Sequence, residues 1–113
     1  MTRFILSTLL AACALGCGGS GSTGPGSGPG PNEVVIQGFA FDPTPRAVGA
    51  GTTVTWVNHD DVNHTSTGGS GQETWNSGAL SKNGSFSHTF NVQGTYQYAC
   101  TIHPGMHGTI VVN

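Results

Sequence analysis

Three side chains near the C-terminal end have the types and the spacing that suit a metal ion. Cys100, His103 and Met106 offer a thiol, an imidazole and a thioether within seven residues. Two His and one Cys in a trigonal plane, with a weak axial Met, form the ligand set of electron-transfer copper sites. Zinc prefers a tetrahedral set without thioether, so Met106 argues against zinc. The segment therefore predicts one copper ion, and a second imidazole must come from elsewhere in the chain.

The upstream imidazole has three candidates, His59, His64 and His88, and we favour His64. It follows a predicted strand at residues 52–57, in a loop that can reach the same end of the fold as the Cys100 loop. His59 lies very close to that strand and directly precedes two acidic residues, which is typical of a solvated loop histidine. The expected metal ligands are therefore His64, Cys100, His103 and Met106.

His88 and His107 have interpretations that do not involve a metal. His88 shares strand parity with Phe86 and Phe90, so we expect a partly buried sheet residue. His107 adjoins Met106 and is the competing ligand in a site without Met, but we expect it to point into solvent.

The N-terminal segment indicates export. Arg3 supplies a positive start and residues 4–15 form an apolar run, which predicts a secretory signal peptide over residues 1–17. The run is shorter than the ~20 residues that a membrane-spanning helix needs. It ends in two sequences that resemble the lipobox of bacterial lipoproteins. We expect lipidation at Cys17, with Cys13 or cleavage without a lipid as alternatives, and a periplasmic or cell-surface location.

Residues 18–32 are rich in Gly, Ser and Pro and predict a flexible linker. The folded domain is expected at residues 33–113. If the signal is removed at either lipobox, Met106 is the only methionine left and Cys100 is the only cysteine left within the folded domain, so no disulfide forms within the domain. A lone thiol in an oxidising compartment needs burial or a bound partner, which again favours a metal ligand.

Short alternating runs with turn signals between them predict strands, and no segment has a sustained helical period. The alternation at residues 52–57 predicts that Val54 and Trp56 face the core. Residues 91–94 have the length of a hairpin turn, residues 66–71 are expected to be loop, and residues 73–80 are either a short strand or an irregular crossing. The expected fold is an all-β β-sandwich. The predicted strands cover residues 33–39, 52–57, 85–90, 95–98 and 109–112.

Composition and loop chemistry exclude several function classes. Only 7% of residues are charged and the formal net charge is −2, which gives no reason to propose a nucleic-acid partner. Cys100 is the single cysteine of its loop, whereas a binuclear copper centre needs two. Ala99 and Thr101 stand where a multicopper oxidase needs histidines. No nucleophile has a base and an orienting group in sequence context, so we expect no enzymatic activity.

Residues 100–106, together with Trp56 eight residues before His64, resemble the plastocyanin and amicyanin family of cupredoxins over roughly residues 33–113. The Cys-x-x-His-x-x-Met spacing is similar to that of amicyanins. The resemblance implies a cupredoxin-like Greek-key sandwich, a type 1 copper and His103 as the surface electron port. The family often has Asn after its first histidine, where this chain has Thr65. An amicyanin typically has a bulky aromatic residue where this chain has Gly105.

We therefore expect a blue copper protein that carries single electrons between transient redox partners, cytochrome-like or oxidoreductase, as a monomer. Apart from a lipid anchor we expect no membrane contact. The alternative is a copper-binding or copper-delivery protein without electron transfer. Delivery typically uses exposed clusters rich in Met or His, and Met106 stands alone in the mature domain.

Overall fold

The computed structural model describes residues 30–113, which form nine β-strands and no helix. The predicted signal peptide (residues 1–17), both candidate lipidation sites and linker residues 18–29 lie outside the described residues. No helix of the length and apolarity needed for a membrane crossing occurs within residues 30–113. The strands are β1 Glu33–Ile36, β2 Phe41–Asp42, β3 Arg46–Val48, β4 Thr52–Asn58, β5 Thr67–Ser70, β6 Glu73–Asn76, β7 Ser85–Phe90, β8 Gly94–Ala99 and β9 His107–Val112.

The strands form two sheets that pack face to face. One sheet has the order β2-β1-β4-β7 and the other β3-β9-β8-β5-β6. Both are mixed, because β1 runs parallel to β4 and β3 runs parallel to β9, while the remaining pairs are antiparallel. The buried side chains of the two inner faces form one apolar core. The predicted all-β sandwich is confirmed.

Strand β4 shows how the sequence pattern builds this core. Its residues alternate between half-buried or exposed and buried positions, and Val54 and Trp56 are fully buried, as predicted. The Trp56 ring stacks on Trp75 at a centroid distance of 5.6 Å and meets Tyr98 edge-on at 5.5 Å. Because Trp75 and Tyr98 belong to the opposite sheet, these aromatic contacts join the two layers of the sandwich.

The predicted hairpin at residues 91–94 is wrong. Strand β7 ends at Phe90 in one sheet and β8 begins at Gly94 in the other, so the connection crosses between the layers. The backbone N–H groups of Asn91 and Val92 donate to the buried Glu73 carboxylate at 2.6 and 2.9 Å. The Glu73 side chain therefore accepts the backbone hydrogen bonds of this connection. In a hairpin, the two flanking strands would pair with each other instead.

The loop predicted at residues 66–71 is also wrong, because residues 67–70 form β5. A β-carbon on Gly68 would collide with Tyr98, and one on Gly69 would collide with the carbonyl of Glu73. Glycine allows this close approach but gives no hydrophobic signal of a strand. The first predicted strand is shorter than expected and ends at Ile36. Residues 73–76 form a strand, and no local pattern predicts the short strands β2 and β3.

Three connections meet at one end of the sandwich. Ile36 and Asn58 are paired at the ends of the parallel strands β1 and β4, so the turn after β1 and the loop after β4 leave on the same side. Ala99 pairs with both Thr67 and His107, which brings the loop between β8 and β9 beside the start of β5. The fold thus places residues 37–40, 59–66 and 100–106 together.

Candidate metal centre

Three of the four predicted ligands bring their donor atoms together at this end. His64 Nδ1 lies 3.1 Å from His103 Nδ1, and Cys100 Sγ lies 3.8 and 3.6 Å from these two nitrogens. His64 and Cys100 are buried, whereas His103 is half-buried. His64 is distant in sequence from Cys100 and His103, and the folding of the two sheets brings the three residues together.

The triangle of donor atoms has the size that a metal ion requires. A point equidistant from the three atoms lies about 2.0 Å from each of them, and metal bonds to imidazole nitrogen and thiolate sulfur are ~2.0–2.3 Å long. Two nitrogens and one soft sulfur suit copper in either oxidation state. The residues present therefore fit a copper ion without rearrangement.

Met106 lies in the same loop and is buried. Its N–H donates to the His103 carbonyl at 3.0 Å, and its own carbonyl accepts from the Cys100 N–H at 3.1 Å. These two bonds close residues 100–106 into a tight loop that ends where β9 begins. Met106, the fourth predicted ligand, is thus held by backbone hydrogen bonds to His103 and Cys100.

The orientation of His64 is determined by Asp60. The ring Nε2 lies 2.8 Å from Asp60 Oδ2. Burial raises the pKa of Asp60, but hydrogen bonds from the Phe39 and Gly38 amides and from His64 outweigh it and hold that pKa below its ordinary value. An ionised carboxylate only accepts, so Nε2 carries the proton and Nδ1 presents its lone pair to the metal position. A carboxylate that accepts the second ring N–H of a metal-binding histidine is a regular feature of metal sites.

Cys100 is held as a thiolate. Burial opposes its ionisation, but the Thr65 amide, the His103 imidazole and the His103 amide act in the other direction and lower the pKa of the thiol to about 6. The Thr65 N–H donates to Cys100 Sγ at 3.3 Å. The thiolate is the form that binds a metal, so this cysteine is ready for one at neutral pH.

Thr65 joins the two loops in the position where the family often has Asn. Its Oγ1 accepts the Thr101 N–H at 2.9 Å and lies 3.1 Å from Thr101 Oγ1. The Thr67 hydroxyl donates to the same oxygen at 3.0 Å. One hydroxyl thus braces the His64 loop against the Cys100 loop, while the backbone amide of the same residue holds the sulfur.

The other three histidines of residues 30–113 lie outside the donor group. His59 and His107 are exposed, as expected for solvated histidines. His88 is partly buried and bonds to the Glu73 carboxylate at 2.8 Å, in agreement with its predicted place in the sheet. Of the five histidines, only His64 and His103 belong to the group that could hold a metal ion.

Sequence reasoning missed three residues that shape the centre. Asn58 is fully buried and its side-chain amide donates to the carbonyls of Val62 and Leu80, which shapes the loop that carries His64. Asp60 was considered only as an acidic neighbour of His59, although its position four residues before His64 was a usable signal. Phe39, whose ring meets both imidazoles, has no signal in the sequence.

Comparison with known proteins agrees with this geometry. The family model for copper-binding proteins of the plastocyanin/azurin family matches residues 31–113. Amicyanin-alpha of Methylorubrum extorquens is 35% identical over 83 residues, which cover 71% of this chain and 70% of the relative. The chain spans about half the length of two further amicyanins, from Paracoccus denitrificans and Paracoccus versutus, at 38% and 36% identity.

Two solved structures show the same likeness. The Cu(I) form of an amicyanin variant superimposes with a TM-score of 0.66 at 34% identity, over 72% of this chain and 80% of the other. A copper-containing nitrite reductase from Thermus scotoductus gives a TM-score of 0.69 at 31% identity. The match covers 77% of this chain but only 23% of the reductase, so the likeness extends to a part of that enzyme.

Proposed function

Because the chain belongs to the plastocyanin/azurin family of copper-binding proteins, we propose that it carries single electrons between redox partners. Its cofactor is one copper ion. We assign His64, Cys100, His103 and Met106 as the residues that would hold it, through two imidazole nitrogens, a thiolate and a thioether. The observation that carries this proposal is the triangle of two imidazole nitrogens and one thiolate sulfur, closed without any rearrangement.

The bound copper ion supplies a one-electron couple between Cu(II) and Cu(I). The protein's own residues keep the donor atoms in place in both states. Asp60 holds the proton of His64 on Nε2, the Thr65 amide supports the Cys100 sulfur, and the Thr65 hydroxyl ties the two loops together. A site that moves little when an electron arrives is suited to fast transfer and unsuited to release of the metal.

Burial of the ligands favours a carrier over an enzyme. Cys100 is 1% exposed and His64 is fully buried, so neither offers a substrate an open side of the centre. The half-buried His103 is the ligand nearest to solvent, and we propose that electrons enter and leave through it. Transient redox encounters use small contact areas, which exposed neighbours such as Ile102 would supply.

We further propose that the protein is exported and held near a membrane by a lipid on Cys17 or Cys13. The support is the sequence of residues 1–17 and the Gly/Ser/Pro linker behind it, which suits a tether. Mass spectrometry of the protein from its native membrane fraction tests this directly. An N-terminal cysteine with added acyl mass supports it, whereas an unmodified N-terminus contradicts the anchor.

The function itself is tested by loading residues 30–113 with Cu(II) and recording visible and EPR spectra through cycles of reduction and reoxidation. We expect an intense blue charge-transfer band that disappears and returns. Cys100→Ser should abolish the band, whereas the control His107→Ala, at an exposed histidine outside the donor group, should keep it. A pale complex that is indifferent to Cys100→Ser would contradict the proposal, as would copper that leaves on reduction.

A further inference from the structure

The turn between β1 and β2 has a backbone that its sequence does not favour. Gly38 and Phe39 are its central residues, with φ of 66° and 60°. Two positive φ values are what a type I′ turn requires, and Asn or Gly normally occupies such positions. A bulky side chain there is a conformational outlier. The other non-glycine residue with positive φ in residues 30–113 is Asn83, a type that tolerates the conformation.

The Phe39 side chain is 53% exposed and does not belong to the core. Its ring nevertheless meets both imidazoles of the metal centre. The centroid distances are 5.1 Å to His64 and 5.0 Å to His103, with interplanar angles of 88° and 87°. These are favourable edge-to-face geometries. An exposed phenyl ring thus bridges the two histidines on the outer side of the centre.

Asp60 holds the turn in this conformation. Its Oδ1 accepts the Gly38 N–H at 2.8 Å, and its Oδ2 accepts the Phe39 N–H at 3.0 Å. The same Oδ2 accepts the proton on His64 Nε2 at 2.8 Å. One carboxylate therefore fixes both the strained turn and a metal-ligand imidazole. Backbone strain that the surrounding structure enforces in this way is concentrated at functional sites.

We propose that Phe39 is a positioning residue of the metal centre. Its ring restrains the two imidazoles relative to one another and shields the bound ion from small chelators and water, and Asp60 holds the ring in place. This inference rests on the proposed function only in that copper occupies the centre. It assigns a role to a turn that supplies no ligand and that is distant in sequence from both ligand loops.

Phe39→Gly tests the proposal, because glycine adopts the positive φ without strain. We expect the variant to keep the blue band, while a small chelator removes its copper roughly tenfold faster, as expected for the loss of two aromatic contacts. Phe39→Tyr retains the ring and should restore slow removal. Val62→Ala is the matched control, since Val62 is 42% exposed in the loop that carries His64 and should leave the rate unchanged.

A second readout uses the metal-free protein. We expect NMR spectra of Phe39→Gly to show a mobile His103 ring, whereas His64 keeps its Nε2 proton because Asp60 is intact. The melting temperature should change little, because relief of the strain at position 39 offsets the loss of the two ring contacts. A role in stability alone predicts instead that the melting temperature falls and that the imidazoles stay ordered.

The outcomes separate this inference from the proposed function. Failure of the wild-type protein to form a blue, redox-active copper complex would overturn the proposed function and leave no centre for Phe39 to position. A normal wild-type centre with equal copper removal from Phe39→Gly would overturn the inference alone. Failure of Phe39→Tyr to restore slow removal would do the same, because the ring contact would not be the cause.

Discussion

Glu73→Gln should destabilise the protein at the end opposite the metal centre. Glu73 is buried, with 4% of its surface exposed. Its carboxylate accepts three hydrogen bonds, from His88 Nε2 at 2.8 Å and from the backbone N–H groups of Asn91 and Val92 at 2.6 and 2.9 Å. Since Glu73 lies on β6 and His88 on β7, which are edge strands of different sheets, this cluster closes one open side of the sandwich.

Glutamine preserves the shape but removes the negative charge and one of the two acceptor oxygens. Hydrogen bonds to a charged group contribute ~1.5–3 kcal/mol each, and an amide can still make some of them. We therefore expect a net loss of about 2–3 kcal/mol in the free energy of unfolding at neutral pH. For a domain of this size that corresponds to a melting temperature lower by about 10–20 °C.

The effect should depend on pH in a defined direction. Burial raises the pKa of Glu73, but the His88 bond and the two amides outweigh it and hold the pKa below its ordinary value of 4.5. The unfolded chain therefore binds the proton more readily than the folded one. The stabilisation is complete above pH ~4.5 and is lost as the pH falls from there through the lower folded-state pKa. The wild-type protein should approach the stability of the variant in acid.

Urea unfolding at neutral pH and at about pH 4 measures both effects. Asp61→Asn is the control, because the Asp61 carboxylate is exposed and its ion pair with Lys82 is a surface pair of small energetic weight. The blue band should be the same in all three proteins. Equal stability of Glu73→Gln and wild type at neutral pH would refute this reasoning, and so would a difference between them that does not shrink in acid.

Three smaller experiments address the metal loops. Thr65→Val removes the hydroxyl that accepts the Thr101 amide and should lower the free energy of unfolding in urea by ~1–2 kcal/mol. The control Thr53→Val, on the exposed face of the sheet, should cost less, and equal losses would contradict a bracing role for Thr65. In the metal-free protein, the ultraviolet absorbance of the Cys100 thiolate should titrate near pH 6, and titration above pH 8 would contradict the hydrogen bonds to its sulfur. Met106→Leu should keep the blue band but raise the reduction potential, because loss of the axial sulfur favours Cu(I); an unchanged potential in voltammetry would remove Met106 from the ligand set.

The structure agrees with the sequence pattern at residues 52–57 and with the metal-ligand spacing at residues 100–106. The alternation at residues 52–57 placed Val54 and Trp56 in the core because period-2 burial is a property of a single strand. Cys100, His103 and Met106 were found together because one short loop carries all three. The convergence of His64 with that loop was predictable from its position after a strand, since loops at one end of a sandwich share a surface.

The features that the sequence concealed depend on contacts between distant residues. Strand β5 contains Gly68 and Gly69, which pack through their backbone and leave no hydrophobic pattern. The crossing after Phe90 depends on the Glu73 carboxylate, 18 residues before the first amide it accepts. The bond between Asp60 and the Phe39 amide likewise spans 21 residues. Such contacts depend on the tertiary structure, so the local sequence pattern does not predict them.

The central claim is that electrons move through this protein while its copper stays bound. Two copies loaded with different copper isotopes, one reduced and one oxidised, test it most directly when they are mixed and then separated by a tag on one copy. We predict that oxidation states equilibrate rapidly, as NMR line widths would show, while mass spectrometry finds each isotope on its original copy. Isotopes that mix as fast as the electrons would identify a copper-delivery protein, and oxidation states that fail to equilibrate would contradict an electron carrier.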